Sequence, residues 1–214
     1  MSWAWENRSF LGRMTGEHLY LALVPLLIGF LLAVPLGLFL ARARWGRPAV
    51  LGLCVLLEAI PVLSWFVFLP AIIDTTLPER TNVLVGLTLV VFAMMTQCIS
   101  AAVAAVPDEL RATAEGLGFS TFRRAFQVDL PVAMPGVIAG LRTAAVSCIS
   151  LVTLAALIGV GGLGRVITEG YSTGSDPEVL SSVVAVVVLA VAAENLLVRA
   201  QRYFLPWSTL APVR

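Results

Sequence analysis

An all-α polytopic membrane protein with about five transmembrane helices is the fold class that three features of this sequence predict. Of its 214 residues, 59% are hydrophobic and only 13% charged, and the mean hydropathy is +0.94. A soluble domain carries roughly 25% charged and about 45–50% apolar residues, so a soluble globule of this composition lacks the polar groups to cover its surface. The apolar residues collect in five runs, 19–41, 50–73, 83–106, 135–158 and 179–198. Each meets the roughly 20 residues that a membrane helix needs, and a helix satisfies its own backbone groups in hydrocarbon. Low net charge (+1) speaks against a nucleic-acid partner, and the apolar content excludes disorder.

The chain opens on residues 1–16, where Trp3, Trp5 and Phe10 suit an external interfacial segment with aromatic rings at headgroup level; a disordered leader is the alternative. Ala41-Arg42-Ala43 mimics a signal-peptidase site. The run before it is too long for a signal peptide and Arg42, Arg44 and Arg47 follow at once, so it reads as a retained span. Residues 17–200 form the transmembrane domain and 201–214 a cytoplasmic tail. Arginine placement orients the whole: Arg42, Arg44, Arg47, Arg111, Arg123, Arg124, Arg199, Arg202 and Arg214 fall on one side, against Arg8, Arg13, Arg80 and Arg165 on the other. Positive charge stays inside, which puts the N-terminus outside and the C-terminus in the cytoplasm of a multi-pass cell-membrane protein.

Between the third and fourth runs lies the longest polar stretch, 107–131. Pro107 suits a first helical turn, Asp108 and Glu109 favour the positive end of its dipole, and Gly118 is a natural stop. Ser120 can then cap a second short helix, 121–128, with Phe122 and Phe126 on one face and Arg123 and Arg124 beside them; Leu130-Pro131 closes it. Two short helices, one of them aromatic-faced, read either as a docking element for a cytosolic partner or as an amphipathic piece on the inner leaflet lipid.

That stretch resembles the cytoplasmic coupling loop of ABC importer permeases: Glu-Ala-Ala, three residues, Gly, about nine more, Leu-Pro. Ala112-Thr113-Ala114 stands at the Glu-Ala-Ala position, Gly118 at the Gly and Leu130-Pro131 at the close, with Pro135-Gly136 following. The family's Glu is Ala112 here, and Glu109 and Glu115 flank it out of register. Farther on, 158–164 (Ile-Gly-Val-Gly-Gly-Leu-Gly) resembles the glycine run of quaternary-amine permeases, the osmoprotectant group; Gly140-Leu141-Arg142-Thr143 and Ala59-Ile60-Pro61 are similar to further pieces of that group.

Gly159, Gly161 and Gly164 also satisfy a dinucleotide fingerprint, but a membrane run precedes them where a strand is required. They suit a re-entrant or tightly turning external loop, 158–178, in which Gly162 takes part. This is either an outer gate and receptor contact or a turn-rich connector. Glu58, Arg142 and Glu194 are the ionisable residues inside the runs, all in the inner half. A lone charge there is costly, so they read as an ion-pair cluster joining helices, as substrate ligands on the translocation path, or as snorkelling groups. Pro61 breaks the second run, and Trp65, Phe66 and Phe68 follow it; Trp65 serves core packing or brushes a passing cation.

No catalytic group or metal site is expected. His18 is the single histidine, and Cys54, Cys98 and Cys148 sit in separate apolar runs as small hydrophobes. Neither a Walker A sequence nor Gly-x-Ser-x-Gly occurs, so no cofactor belongs to this chain, and ATP with its Mg would be held by a partner. The resemblance implies the MetI-like permease fold and a transporter subunit, not an enzyme. Its implied partners are two ABC ATPase subunits docked at 107–131, a second permease subunit, identical or paralogous, and an extracytoplasmic substrate-binding protein. Its implied cargo is an osmoprotectant such as glycine betaine, choline, carnitine or proline betaine. Methionine- or sulfonate-type permeases and a non-ABC channel or scaffold are the competing readings.

Overall fold

The computed structural model describes residues 2–43 and 45–209. Arg44 and Arg214, two of the nine arginines in the orientation argument, lie outside the described residues. A short α1 (Ser2–Glu6) leads into α2 (Arg8–Leu40); α3 (Arg47–Ala59) and α4 (Val62–Ile73) follow, then α5 (Arg80–Ala104). The polar stretch holds α6 (Asp108–Gly116) and α7 (Thr121–Arg124), after which come α8 (Leu130–Val152), α9 (Leu163–Thr173) and α10 (Asp176–Phe204). Helices α2, α5, α8 and α10 are each long and apolar enough to cross a membrane. Helices α3 and α4 meet at a bend of 100°, a broken fifth span or a re-entrant pair.

The core forms where α2 and α8 pack on α5. Val83, Leu87, Met95 and Ile99 of α5 are wholly buried. Close approach rests on small residues, because lipid tails offer helices no hydrophobic drive to associate. Gly29, Ala33 and Gly37 recur every fourth residue on α2 and are buried. A Cβ at Gly29 would stand 2.8 Å from Val91, and one at Gly37 2.7 Å from Ile99. Gly136 of α8 also approaches Ala102 closely, where a Cβ would stand 3.1 Å away. Pro25 and Pro35 sit inside α2 without ending it, a tolerance common in membrane helices, where neighbouring groups re-satisfy the freed carbonyls.

The sequence expectation changes in two places. Within the segment 1–16, expected to precede the first span, residues 8–16 are helical and continuous with α2. Farther along α2, His18 is buried and its Nε2 lies 2.9 Å from the Ile149 carbonyl, an oxygen that can only accept, so Nε2 carries the proton. The second apolar run breaks at Pro61, as the sequence indicates: Ile60 and Pro61 take extended backbone between α3 and α4. Second, Leu130-Pro131 does not end a separate helix. Helix α7 stops at Arg124, a π-helical turn covers Ala125–Asp129, and the chain passes without a break into α8. Proline lacks an N–H and crowds the carbonyl four residues back. The wider turn accommodates this, with the Leu130 N–H reaching the Ala125 carbonyl five residues back.

Candidate functional site

The polar stretch stands at one end of the bundle, beside Arg42 and the C-terminal ends of α2 and α5. Pro107 precedes α6, and Asp108 and Glu109 occupy its first turn. Helix α6 ends in a Schellman arrangement: the Phe119 N–H donates to the Ala114 carbonyl at 3.1 Å and the Gly118 N–H to the Glu115 carbonyl at 2.9 Å. Gly118 takes φ +79° there with open space around it, the left-handed backbone that glycine adopts at least cost. Ser120 caps α7, its hydroxyl accepting from the Arg123 N–H at 3.3 Å. Phe122 and Phe126 pack together with ring centroids 4.8 Å apart and planes tilted by 46°. Leu117 and Phe122 are about three-quarters exposed. Ala112 and Thr113 face out, Ala114 is buried, and Leu130 and Pro131 are half-buried.

Beneath this surface lies a group that the sequence reading did not single out. Asp129 is buried, with a side chain 1% exposed, and three arginines surround it. Arg42 Nη2 is 2.5 Å from its Oδ2, while the Nε atoms of Arg111 and Arg124 lie 3.7 Å from its carboxylate. Arg42 also donates to the Thr121 carbonyl at 3.0 Å, and Arg111 to the Val103 carbonyl at 2.5 Å.

Deeper in the bundle the three expected intramembrane charges separate into two sites. Arg142 of α8 meets Glu194 of α10, its Nε donating to Glu194 Oε1 at 2.9 Å and its Nη2 engaging the same oxygen. They border a groove of about 640 Å³ with Thr143 and Ser147. Glu58 does not join them: it accepts from Gln97 Nε2 of α5, because the bend at Pro61 lays α3 against α5. Trp65 spans that bend, its indole N–H donating to the Leu57 carbonyl at 3.3 Å.

At the opposite end, the glycine run turns the chain between a 3-10 segment, Thr153–Ile158, and α9. Gly159 and Gly162 hold φ +80° and +84°. Gly162 lies on His18, where a Cβ would come within 3.2 Å, and Gly161 lies on the Glu17 carboxylate. The Gly162 N–H donates to Glu17 Oε2 at 3.3 Å, and Glu17 pairs with Arg80 at 2.6 Å. The expected loop over 158–178 is therefore mostly helix. Gly164 packs against the Thr153 backbone, so its role is close approach rather than flexibility. Nearby, hydrogen bonds from the Thr76 N–H and hydroxyl hold the exposed Glu79 carboxyl below its usual pKa. Among the described residues no three metal-ligating side chains converge.

Residues 33–208 match the family described as the binding-protein-dependent transport system inner membrane component. The chain belongs to that family. Among curated members, this family chain is 31% identical to an osmoprotectant import permease protein of Salmonella typhimurium, with 94% of each chain covered. It is 29% identical to a glycine betaine/carnitine/choline transport system permease protein of Bacillus subtilis, covering 90% of this chain and 87% of that one. Its fold matches a chain of the inward-facing MetNI methionine ABC transporter with a TM-score of 0.81 at 21% identity, over 92% of this chain and 97% of that one. Like other members of the inner membrane component family, it is a multi-pass membrane protein, and its fold is that of an ABC importer permease.

Within this family chain, the residues missed from sequence had a visible trace in one case only. Asp129 is an acid in a stretch otherwise rich in arginine near its close, and its charge asks for a partner. Gln97 is uncharged and offered no such signal, and Glu17 lies outside the apolar runs, where a charge is ordinary.

Proposed function

We propose that the chain is one permease subunit of an ATP-driven ABC importer for osmoprotectants such as glycine betaine, choline, carnitine or proline betaine. Relatives named for those solutes, similar over nearly the whole chain, support the solute class. The observation that carries the coupling role is the exposure of Leu117, Phe122 and Phe126, at the end of α6, on α7 and in the π-helical turn that follows. Two ATPase subunits dock there, on Ala112, Thr113, Ala114, Gly118, Phe122, Arg123 and Phe126, with Leu130 and Pro131 leading the movement into α8. This end is cytoplasmic, and the N-terminus is outside. ATP and Mg stay on the ATPases, whose closure draws the docking helices together and opens the cavity outward.

A second permease subunit completes the path, and an extracytoplasmic binding protein delivers solute to it. An exposed ion pair at membrane depth avoids lipid. The groove at Arg142 and Glu194 therefore turns toward the second subunit or the water-filled path, with the bent segment of Glu58, Pro61 and Trp65 alongside. The turn of Gly159, Gly161, Gly162 and Gly164 forms the outer gate. The test is copurification of the tagged chain with mass spectrometry, then reconstitution in liposomes with the binding protein. A copurifying ATPase whose turnover rises with glycine betaine is expected. ATP turnover indifferent to every quaternary amine would remove the solute assignment, and failure to capture any ATPase would remove the permease reading.

A further inference from the structure

Among the described residues Asp129 is the one fully buried carboxylate, and its neighbours come from separate parts of the chain. Arg42 follows α2, Arg111 belongs to α6 and Arg124 to α7, while Asp129 itself closes the π-helical turn that leads into α8. Through the Thr121 and Val103 carbonyls the same arginines hold the start of α7 and the end of α5. A buried charge that loses its partners is strongly destabilising, so these elements cannot drift apart independently.

The junction is also unsaturated. Only Arg42 stands within hydrogen-bond distance, and Asp129 Oδ1 and the Nε atoms of Arg42 and Arg124 are buried without a hydrogen-bond partner. Arg111 and Arg124 stand farther off and are also paired with Asp108 and Glu115, so the carboxylate can exchange partners when the helices carrying these arginines shift. It sits in a π-helical turn, an irregularity that recurs at functional sites in helices.

We propose that Asp129 is a positioning residue that links the two docking helices to the ends of the first and fourth spans, passing their movement on by exchange among Arg42, Arg111 and Arg124. This rests on the permease reading. The test uses the assembled transporter in liposomes, with binding protein, radiolabelled glycine betaine and ATP, and reads solute taken up per ATP hydrolysed. Asp129→Asn should lower that ratio about tenfold, a size typical of lost coupling between sites, while ATP turnover continues. Arg42→Gln, which leaves Asp129 two arginines and so tolerates folding better, should lower it in the same direction, and Arg42→Lys should restore part of it.

Both variants assembling with a wild-type ratio overturns the link alone. Both failing to assemble makes the junction purely architectural and overturns it too; if only Asp129→Asn fails, Arg42→Gln decides. Wild-type transporter in which no ATPase couples removes the permease reading, and the link with it.

Discussion

The backbone N–H of Gly162 donates to the carboxylate of Glu17 at 3.3 Å across 145 residues of sequence, fastening the glycine turn to α2. Gly162 has φ +84° and ψ −166°, a region closed to other residues at a cost of about 1–3 kcal/mol. A Cβ there would also press on His18. Gly162→Ala should lower the thermal midpoint of the detergent-purified chain and reduce its yield. An unchanged midpoint would show that the turn has slack.

Gly118 is the opposite case: the same sign of φ, but open space around it. Only backbone conformation restricts this site, and a left-handed non-glycine residue costs about 1–2 kcal/mol. Asn, whose short polar side chain tolerates that region, should keep most uptake. Ala should keep less and Val least, with the chain still in the membrane. Equal uptake for Asn and Val would disprove the dependence on the α6 stop.

Arg142 and Glu194 neutralise one another between α8 and α10. Removing one charge leaves the other alone at membrane depth, which is worse than removing both. Arg142→Gln should cut the yield of assembled transporter severalfold on size exclusion, and Arg142→Gln with Glu194→Gln should recover it. A double variant no better than the single one would mean that the charges serve something other than each other.

Glu58, by contrast, needs no cation. Its partner is the amide of Gln97, and a glutamine at 58 can accept the same hydrogen bond. Glu58→Gln should therefore leave stability within about 0.5 kcal/mol, the range of substitutions that break no buried feature, when thermal midpoints are compared. A large drop would point to a second, charged partner.

Much of the fold was legible because membrane helices announce themselves in sequence. A span must be apolar along its length, and all five runs correspond to helices or, for 50–73, to a bent pair. The stop at Gly118 and the cap at Ser120 were equally readable, since both depend on residues one turn away. The boundaries read less well. Helix α2 begins at Arg8, well ahead of the apolar run that starts at residue 19. The loop over 158–178 became α9 because Gly164 and Gly170 pack closely on Thr153 and on Glu178 with Val179, which composition alone presents as flexibility.

By itself, the sequence determined the membrane environment, the number of apolar runs and the two short helices of the polar segment, because hydropathy, capping and turn chemistry act over a few neighbouring residues. Tertiary structure alone decided the partners: Glu194 rather than Glu58 for Arg142, three arginines for Asp129, and Glu17 for the glycine turn. The reason is physical. A charge states that it needs a counterpart, but which of several distant candidates meets it depends on helix rotation and bend. Those are set by the small-residue packing of α2 and α8 on α5 and by the 100° turn at Pro61.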